Sequence, residues 1–182
     1  MSGRFHRVLA LGVALAAISC SDPVPPAYKA GLRVNLIGTG ACPAGNVTRG
    51  VGNPPPEAGA TAGKGGPIFD GENGVKTSCR VAGGPEFAVQ TTIQGNAMTF
   101  QFNGSVNQSG TGTATISVYT PELAGNFQSD AGACRVTPVQ TAQGFQVKNG
   151  AMWATFDCPM VKGSLVTEVC QLKGEVVIEN CD

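Results

Sequence analysis

The chain has 182 residues with 12 basic and 12 acidic side chains, so its formal net charge is zero. Charged residues make up 13% of the chain, glycine accounts for 26 residues, and the basic residues form no cluster. Nucleic-acid binding is therefore not expected, because it needs clustered lysine and arginine. Many glycines and few charges are typical of a loop-rich extracytoplasmic β domain.

The N-terminus has the order of a secretory signal peptide. Arg4 and Arg7 come first, and an uncharged run, Val8–Ile18, follows them. This run is too short to cross a membrane as a helix, which takes about 20 apolar residues. A basic head, an apolar core and small residues before a cleavage point are typical of such signals. We expect residues 1–19 to be a helical signal peptide; a buried N-terminal core helix is the alternative.

The end of this segment, AISC at residues 17–20, resembles the lipobox of bacterial lipoproteins. The resemblance implies that the Cys20 thiol receives a diacylglycerol, that the signal is cut before Cys20, and that the new amino group is acylated. Three prolines within residues 20–28 predict an extended tether. In this family Ser21 after the cysteine implies export to the outer membrane. The alternative is ordinary secretion, with Cys20 free or paired.

Six cysteines remain after Cys20, and an even number in an exported chain predicts three disulfides. They have no CxxC spacing, and the only histidine, His6, lies in the signal segment, so no metal site is expected. The six are Cys42, Cys79, Cys134, Cys158, Cys170 and Cys181.

Fifteen pairings of six cysteines are possible. The residues between Cys170 and Cys181 read as a strand that would hold these two about 35 Å apart, which is beyond disulfide reach. Cys158 and Cys170 flank a predicted loop between two strands, which favours a bridge between them. A second bridge is expected across the Gly/Pro-rich segment. The favoured set is Cys158–Cys170, Cys42–Cys79 and Cys134–Cys181.

Apolar and polar residues alternate with a period of two through much of the chain, which predicts half-buried strands. Glycine- and asparagine-rich turns separate these runs. We therefore predict an all-β domain over residues 29–182, an antiparallel sandwich or a barrel-like arrangement of about seven to nine strands. The runs lie at 32–36, 75–81, 87–93, 98–103, 113–119, 134–139, 145–148, 152–158 and 176–178.

Residues 43–74 differ from the rest, because glycine and proline are dense there. A connection of this length without secondary structure is unusual inside a domain and is commonly functional or mobile. GATAGKGG at 59–66 departs from the phosphate-loop pattern, and DGENG at 70–74 lacks the spacing of a calcium loop. We expect a mobile loop that holds neither phosphate nor metal.

Trp153 is the sole tryptophan of the chain. It shares its phase with Thr155 and Asp157, opposite to Met152, so it is partly exposed if the Met152 side is the core. An aromatic ring beside a few polar groups suits a ligand site, here for carbohydrate. The alternative is a tryptophan that covers the second layer of a sandwich. The candidate site comprises Trp153, Thr155 and Asp157, with a polar face of Thr99, Gln101, Thr113 and Thr115.

Catalysis is not expected. His6 leaves with the signal, so the mature chain has no imidazole base for a serine or cysteine nucleophile. We expect a non-catalytic lipoprotein of the bacterial cell envelope, anchored to the outer membrane by Cys20, with a structural or interaction role. No cofactor is expected, and the partner is an unidentified protein or glycan. The alternative is a lipid-anchored module that binds carbohydrate near Trp153.

Overall fold

A computed structural model describes residues 24–38, 42, 45–52, 54, 66–121, 125–142, 144–164 and 169–182. The predicted signal helix, Cys20 and the start of the tether lie outside these residues. Residues 24–28 form no regular secondary structure, and residues 24–27 are exposed to solvent. Within the described ranges, no helix has the length and apolar character needed to cross a membrane.

Antiparallel strands dominate the described ranges, which also include a short 3-10 turn at Glu72–Gly74. The prediction of an all-β antiparallel fold is confirmed. The strands are β1 (Lys29–Ile37), β2 (Val47–Val51), β3 (Ile68–Phe69), β4 (Lys76–Gly83), β5 (Glu86–Gly95), β6 (Met98–Asn107), β7 (Gly112–Thr120), β8 (Gly125–Ser129), β9 (Cys134–Pro138), β10 (Gln140–Thr141), β11 (Gly144–Phe145), β12 (Val147–Lys148), β13 (Ala151–Gly163) and β14 (Val169–Glu179).

Twelve strands belong to one hydrogen-bonded sheet, and β10 and β11 form a separate pair. The main order is β2-β1-β14-β13-β8-β7-β6-β5-β4, with β3 beside β1, β12 beside β13, and β9 between β13 and β7. A sandwich of two separate sheets and a count of seven to nine strands are therefore wrong, whereas the barrel-like alternative stays a prediction. Periodicity misses β2, β3, β8 and β10 because each is short and holds at most two large apolar residues.

One long strand, β13, keeps the sheet continuous. Its 13 residues pair with β14 along one edge, and with β12, β9 and β8 in succession along the other. The register with β14 shifts between Cys158 and Val161, between the β9-paired and β8-paired parts of the strand. Such bulges bend a strand and increase its twist. The sheet therefore changes direction within the single strand β13. In a sandwich, two separate sheets would face each other instead.

The sheet curls around one apolar core until its ends approach each other. Phe100 on β6 contacts Phe156 on β13, with ring centroids 5.6 Å apart, although β7 and β8 separate these strands in the sheet. At the far edge, the Val81 N–H on β4 donates to the Asp182 carbonyl oxygen over 2.9 Å. The side-chain amide of Asn96, in the β5–β6 turn, donates to a β2 carbonyl oxygen over 2.9 Å. The core is thus enclosed by one sheet.

The curl brings neighbouring backbones unusually close at Gly174 on β14. A Cβ atom there would lie 2.2 Å from the Arg33 carbonyl oxygen on β1 and 2.5 Å from Cζ of Phe156 on β13. Real Cβ atoms do not approach other atoms so closely, so only glycine fits. Glycine inside a strand commonly marks such a close approach or a tight bend.

The six described cysteines form three disulfides, as predicted, but the predicted partners are wrong. The expected Cys158–Cys170 bridge fails because Cys170 lies opposite Val161, beyond the bulge, while Cys158 lies beside β9. The exclusion of a bridge between Cys170 and Cys181 is confirmed. The observed bridges are Cys42–Cys170, Cys79–Cys181 and Cys134–Cys158.

The other two pairing errors have one cause, the position of β4. The predicted Cys42–Cys79 bridge would keep β4 near the Gly/Pro-rich segment. Instead β4 is the far edge strand and meets the C-terminal residues, so Cys79 lies 5.0 Å from Cys181 between Cα atoms.

Three disulfides indicate an oxidising, extracytoplasmic compartment.

The 43–74 segment contains strands and a turn, although its sequence predicts a loop. Strands β2 and β3 both pair with β1, and the turn at Glu72–Gly74 leads into β4. The prediction of a connection without secondary structure is wrong for these residues. Its mobility stays a prediction, and residues 43, 44, 53 and 55–65 lie outside the described residues.

Candidate functional site

The predicted site residues of β13 share the outer face of the sheet. Trp153, Thr155 and Asp157 are half-buried, whereas Met152 and Phe156 between them are buried in the core. The predicted phase of β13 is therefore confirmed, and Trp153 is partly exposed. Its side chain lies on the outside of the curled sheet.

A buried carboxylate fixes the orientation of Trp153. The indole N–H donates to Oε1 of Glu175 on β14 over 2.6 Å, and Glu175 is only 6% exposed. A hydrogen bond to a charged acceptor is shorter and stronger than one between neutral groups. The ring is thus held in one position, with part of its surface left to solvent.

A groove of about 620 Å³ lies beside this pair on the outer face, and we call it the charged groove. Strand register explains its composition: Asp157 lies between Arg135 on β9 and Lys173 on β14. Glu175 lies between Thr155 and Arg33 in the next row. The charged groove is lined by Arg33, Arg135, Thr155, Asp157, Lys173 and Glu175.

Two of the charges in the groove are partly neutralised by each other. Lys173 Nζ lies 3.0 Å from Oδ2 of Asp157, and Gln171 donates to Oδ1 of the same carboxylate over 3.0 Å. Within the described ranges, Arg33 and Arg135 have no ion-pair partner. Both guanidinium groups are therefore available to donate hydrogen bonds to an anionic or polar group of a ligand.

A second groove of about 840 Å³ lies on the other side of Trp153, toward the C-terminal end of β14. Its lining includes Gln146, Lys148 and the outward side chains of Val177 and Glu179. Trp153 lines this groove, and its partner Glu175 lines the charged groove. The Trp153–Glu175 pair therefore stands between two depressions of one face.

The polar face predicted to extend the site lies elsewhere in the sheet. Thr99 and Gln101 belong to β6, and Thr113 and Thr115 belong to β7, with β9 or β8 between them and β13. The structure does not bring these residues together with Trp153. Gln101 and Thr115 instead line a separate trough of about 480 Å³.

Four charged side chains of the charged groove are absent from the predicted site: Arg33, Arg135, Lys173 and Glu175. Each lies at a polar position of a strand in which polar and apolar residues alternate. The sequence therefore predicts that its side chain points away from the core. Their convergence on Thr155 and Asp157 follows from strand order and register, which a period of two does not encode. No local motif could have identified them.

Ala27 and Tyr28, at the end of the predicted tether, contact the C-terminal residues. The Tyr28 hydroxyl donates to Oδ2 of Asp182 over 2.6 Å, and the Asn180 side-chain amide donates to the Ala27 carbonyl oxygen over 2.8 Å. The hydrogen bond to Asp182 raises the pKa of Tyr28 above its ordinary value, and burial and the negative charges of Asp182 and Asp70 act in the same direction. The residues that lead into β1 and the residues that follow β14 thus lie together at one end of the sheet.

Among the residues that the structure describes, no three histidine, cysteine, aspartate or glutamate side chains are grouped as metal ligands would be. Comparisons of the chain with protein-family models, with curated proteins and with solved structures found no match.

Proposed function

We propose that the chain is a non-catalytic lipoprotein of the bacterial cell envelope, anchored to the outer membrane by acylated Cys20, that acts through binding. The observation that carries this proposal is the cysteine count. All six cysteines after Cys20 are used in disulfides, so Cys20 is the one thiol left for a lipid. An odd cysteine at the end of a signal-like segment fits acylation better than a fourth bridge.

The tether supports the same proposal. Residues 24–27 are exposed, and the domain begins at Tyr28, which Asp182 holds. The eight residue steps from Cys20 to Tyr28 reach at most about 28 Å when fully extended. The chain would then hold the domain close to the membrane, with the end that carries Asp182 toward the lipid and the charged groove on the side.

Metabolic labelling tests the anchor. The full chain is expressed in a bacterial host that is fed an alkyne analogue of palmitate, and labelled protein is detected after detergent extraction of the outer membrane. We expect label on the wild-type protein and none on Cys20→Ala, which should also keep its signal segment. A wild-type protein whose mature N-terminus is unmodified at a residue after Cys20 would contradict the anchor.

Binding of carbohydrate at Trp153 is the second candidate. The specific observation in its favour is the Trp153–Glu175 hydrogen bond, which presents a partly exposed aromatic ring between two grooves. Amphipathic aromatic side chains with a polar partner are common in binding sites. The charges around the ring favour a saccharide that carries acidic groups over a neutral one.

Intrinsic fluorescence tests this second candidate directly, because Trp153 is the only tryptophan of the chain. We expect a saturable change in its emission when an acidic oligosaccharide, such as oligogalacturonate, is added. Arg135→Ala should weaken the response without unfolding the domain, because Arg135 is exposed on β9. An emission spectrum that no added saccharide changes would reject the candidate.

A further inference from the structure

The outer face of β6, β7 and β8 carries no charge. The outward positions are alternate residues from 99 to 107 on β6, from 113 to 119 on β7, and residues 126 and 128 on β8. Every one of them is threonine, glutamine, asparagine, serine or tyrosine. Gln90 and Thr92 on the adjoining strand β5 continue the pattern. We call this surface the neutral face.

This composition differs from the target for designed soluble domains, in which about 25–35% of surface residues are charged. Charged side chains border this face without entering it. They are Glu86 opposite Asn107, Arg80 opposite Gln90, Arg135 opposite Thr113 and Lys162 opposite Gln128. A surface of amide and hydroxyl groups suits a ligand that is itself uncharged and can both donate and accept hydrogen bonds.

The neutral face offers free hydrogen-bonding groups around a shallow trough of about 480 Å³. Ser117 donates to Oε1 of Gln101 over 3.2 Å, which holds one amide across the β6–β7 pair. Among the described residues, no protein group bonds to the side-chain amides of Gln90, Asn103 or Gln128, all of which line the trough. Each amide can donate and accept at the same time.

An exposed aromatic ring stands at one end of this face. Tyr119 is 46% exposed on β7, and its cross-strand neighbours are Thr99 and Asn126. Ser117, two residues along the same strand, belongs to the trough. An aromatic surface therefore adjoins a row of amide and hydroxyl groups, on strands that do not include Trp153.

We propose that the neutral face binds an uncharged polysaccharide. Sugar hydroxyl groups both donate and accept, as do the amides and hydroxyls of this face, and the apolar side of a sugar ring can lie on Tyr119. A bound neutral polymer would force any charged side chain beneath it to lose water without gaining a counter-charge, which is unfavourable. Four adjacent strands at about 4.8 Å spacing form a platform about 14 Å wide, enough for an extended chain.

This proposal rests on the binding role proposed above and names its ligand class. It differs from the carbohydrate site at Trp153 in its strands, its aromatic residue and its lack of charge. The two sites are therefore separable by substitution.

Biolayer interferometry with two polymers of the same backbone tests the proposal. The full mature protein is immobilised in a non-ionic detergent and titrated with neutral hydroxyethyl cellulose or anionic carboxymethyl cellulose, and dextran and mannan extend the neutral set. We expect binding to at least one neutral polymer, with an affinity that does not change between low and high salt, because no ion pair contributes.

Substitutions locate the site. Asn103→Lys introduces a charge at an exposed position in the trough, and Tyr119→Ala removes the ring. Each should weaken neutral-polymer binding by about tenfold or more, the effect of losing a contact that dominates binding. Thr137→Lys is the matched control, because it adds the same charge at an exposed strand position that lines the charged groove and lies outside the neutral face. It should leave the affinity for the neutral polymer unchanged.

Four results would overturn the proposal. They are no binding to any of the three neutral polymers, salt-sensitive binding to carboxymethyl cellulose alone, equal affinity in Asn103→Lys and wild type, or self-association of the protein that Asn103→Lys abolishes. The last result would assign the neutral face to a second copy of the chain. Failure here leaves palmitate labelling of Cys20 intact, so it is distinguishable from failure of the anchor.

Discussion

The buried carboxylate of Glu175 determines how Trp153 is presented to solvent. We expect Glu175→Ala to leave the indole N–H without its partner and to lower the free energy of unfolding by about 1–3 kcal/mol, the cost of an unmade buried hydrogen bond. The emission maximum of Trp153 should move to longer wavelength as the ring becomes wetter. Urea unfolding followed by fluorescence measures both effects.

Glu175→Gln is the matched control, because a glutamine carbonyl oxygen can still accept from the indole. It should lose less stability than Glu175→Ala and keep an emission spectrum closer to wild type. Equal spectra for wild type and Glu175→Ala would show that this hydrogen bond does not hold the ring.

Tyr28 gives a pH-dependent readout of the junction between tether and domain. Its hydroxyl donates to Asp182, so loss of the phenol proton breaks the bond and the pKa of Tyr28 is raised. The stabilisation is present below the pKa of an unfolded tyrosine, about 10, and is lost as the pH rises through the higher folded value. The chain has two tyrosines, so in Tyr119→Phe the absorbance of tyrosinate reports Tyr28 alone.

We expect Asp182→Asn in that background to lower the pKa of Tyr28 toward its ordinary value. Asp130→Asn, which removes an exposed carboxylate from the turn before β9, is the control and should not change the titration. An unchanged titration in Asp182→Asn would contradict the junction.

At the scale of elements, the close approach of β1, β14 and β13 depends on Gly174. In Gly174→Ala the new methyl group must displace the Arg33 carbonyl and the Phe156 ring. Overpacking of this kind costs about 1–3 kcal/mol, and contact with backbone leaves little room to relax. Urea unfolding should show a lower midpoint. Gly66→Ala, where a Cβ meets no atom within 4 Å, should unfold like wild type.

At the scale of the whole molecule, the Cys79–Cys181 bridge closes the curled sheet by fastening edge strand β4 to the C-terminus. Its partners are 102 residues apart, against 24 for Cys134–Cys158. On the chain-entropy account, the longer loop contributes at most about 4.7 kcal/mol, and less while Cys42–Cys170 shortens it, and the shorter loop contributes about 3.5 kcal/mol. We expect the double variant Cys79→Ser/Cys181→Ser to lose more stability than Cys134→Ser/Cys158→Ser.

The two variants should also differ in which strands lose protection from hydrogen exchange. Hydrogen exchange should speed up in β4 when the Cys79–Cys181 bridge is absent, because β5 is the single strand that pairs with β4 among the strands that the structure describes. Removal of Cys134–Cys158 should affect β9 instead, since β9 lies between β13 and β7. Equal exchange in β4 for both variants would show that the bridge does not close the sheet.

The sequence by itself determined the all-β class, the inward and outward faces of the long strands, and the presence of three disulfides. These are local properties: a period of two needs only a few neighbouring residues, and an even cysteine count needs no geometry. The partly exposed position of Trp153 followed from the same periodicity. The short strands β2 and β8 were not predicted, because each has too few residues to show the alternating pattern.

Only the tertiary structure decided which strands are neighbours, which cysteines pair, and which side chains share a groove. Cys79 meets Cys181, and Glu175 meets Trp153, because the sheet curls and β13 serves several partners along one edge. Strand order and register depend on contacts between residues far apart in the chain, and a shift by one residue would exchange the two faces. No local pattern contains that information, because it arises from the packing of the whole core.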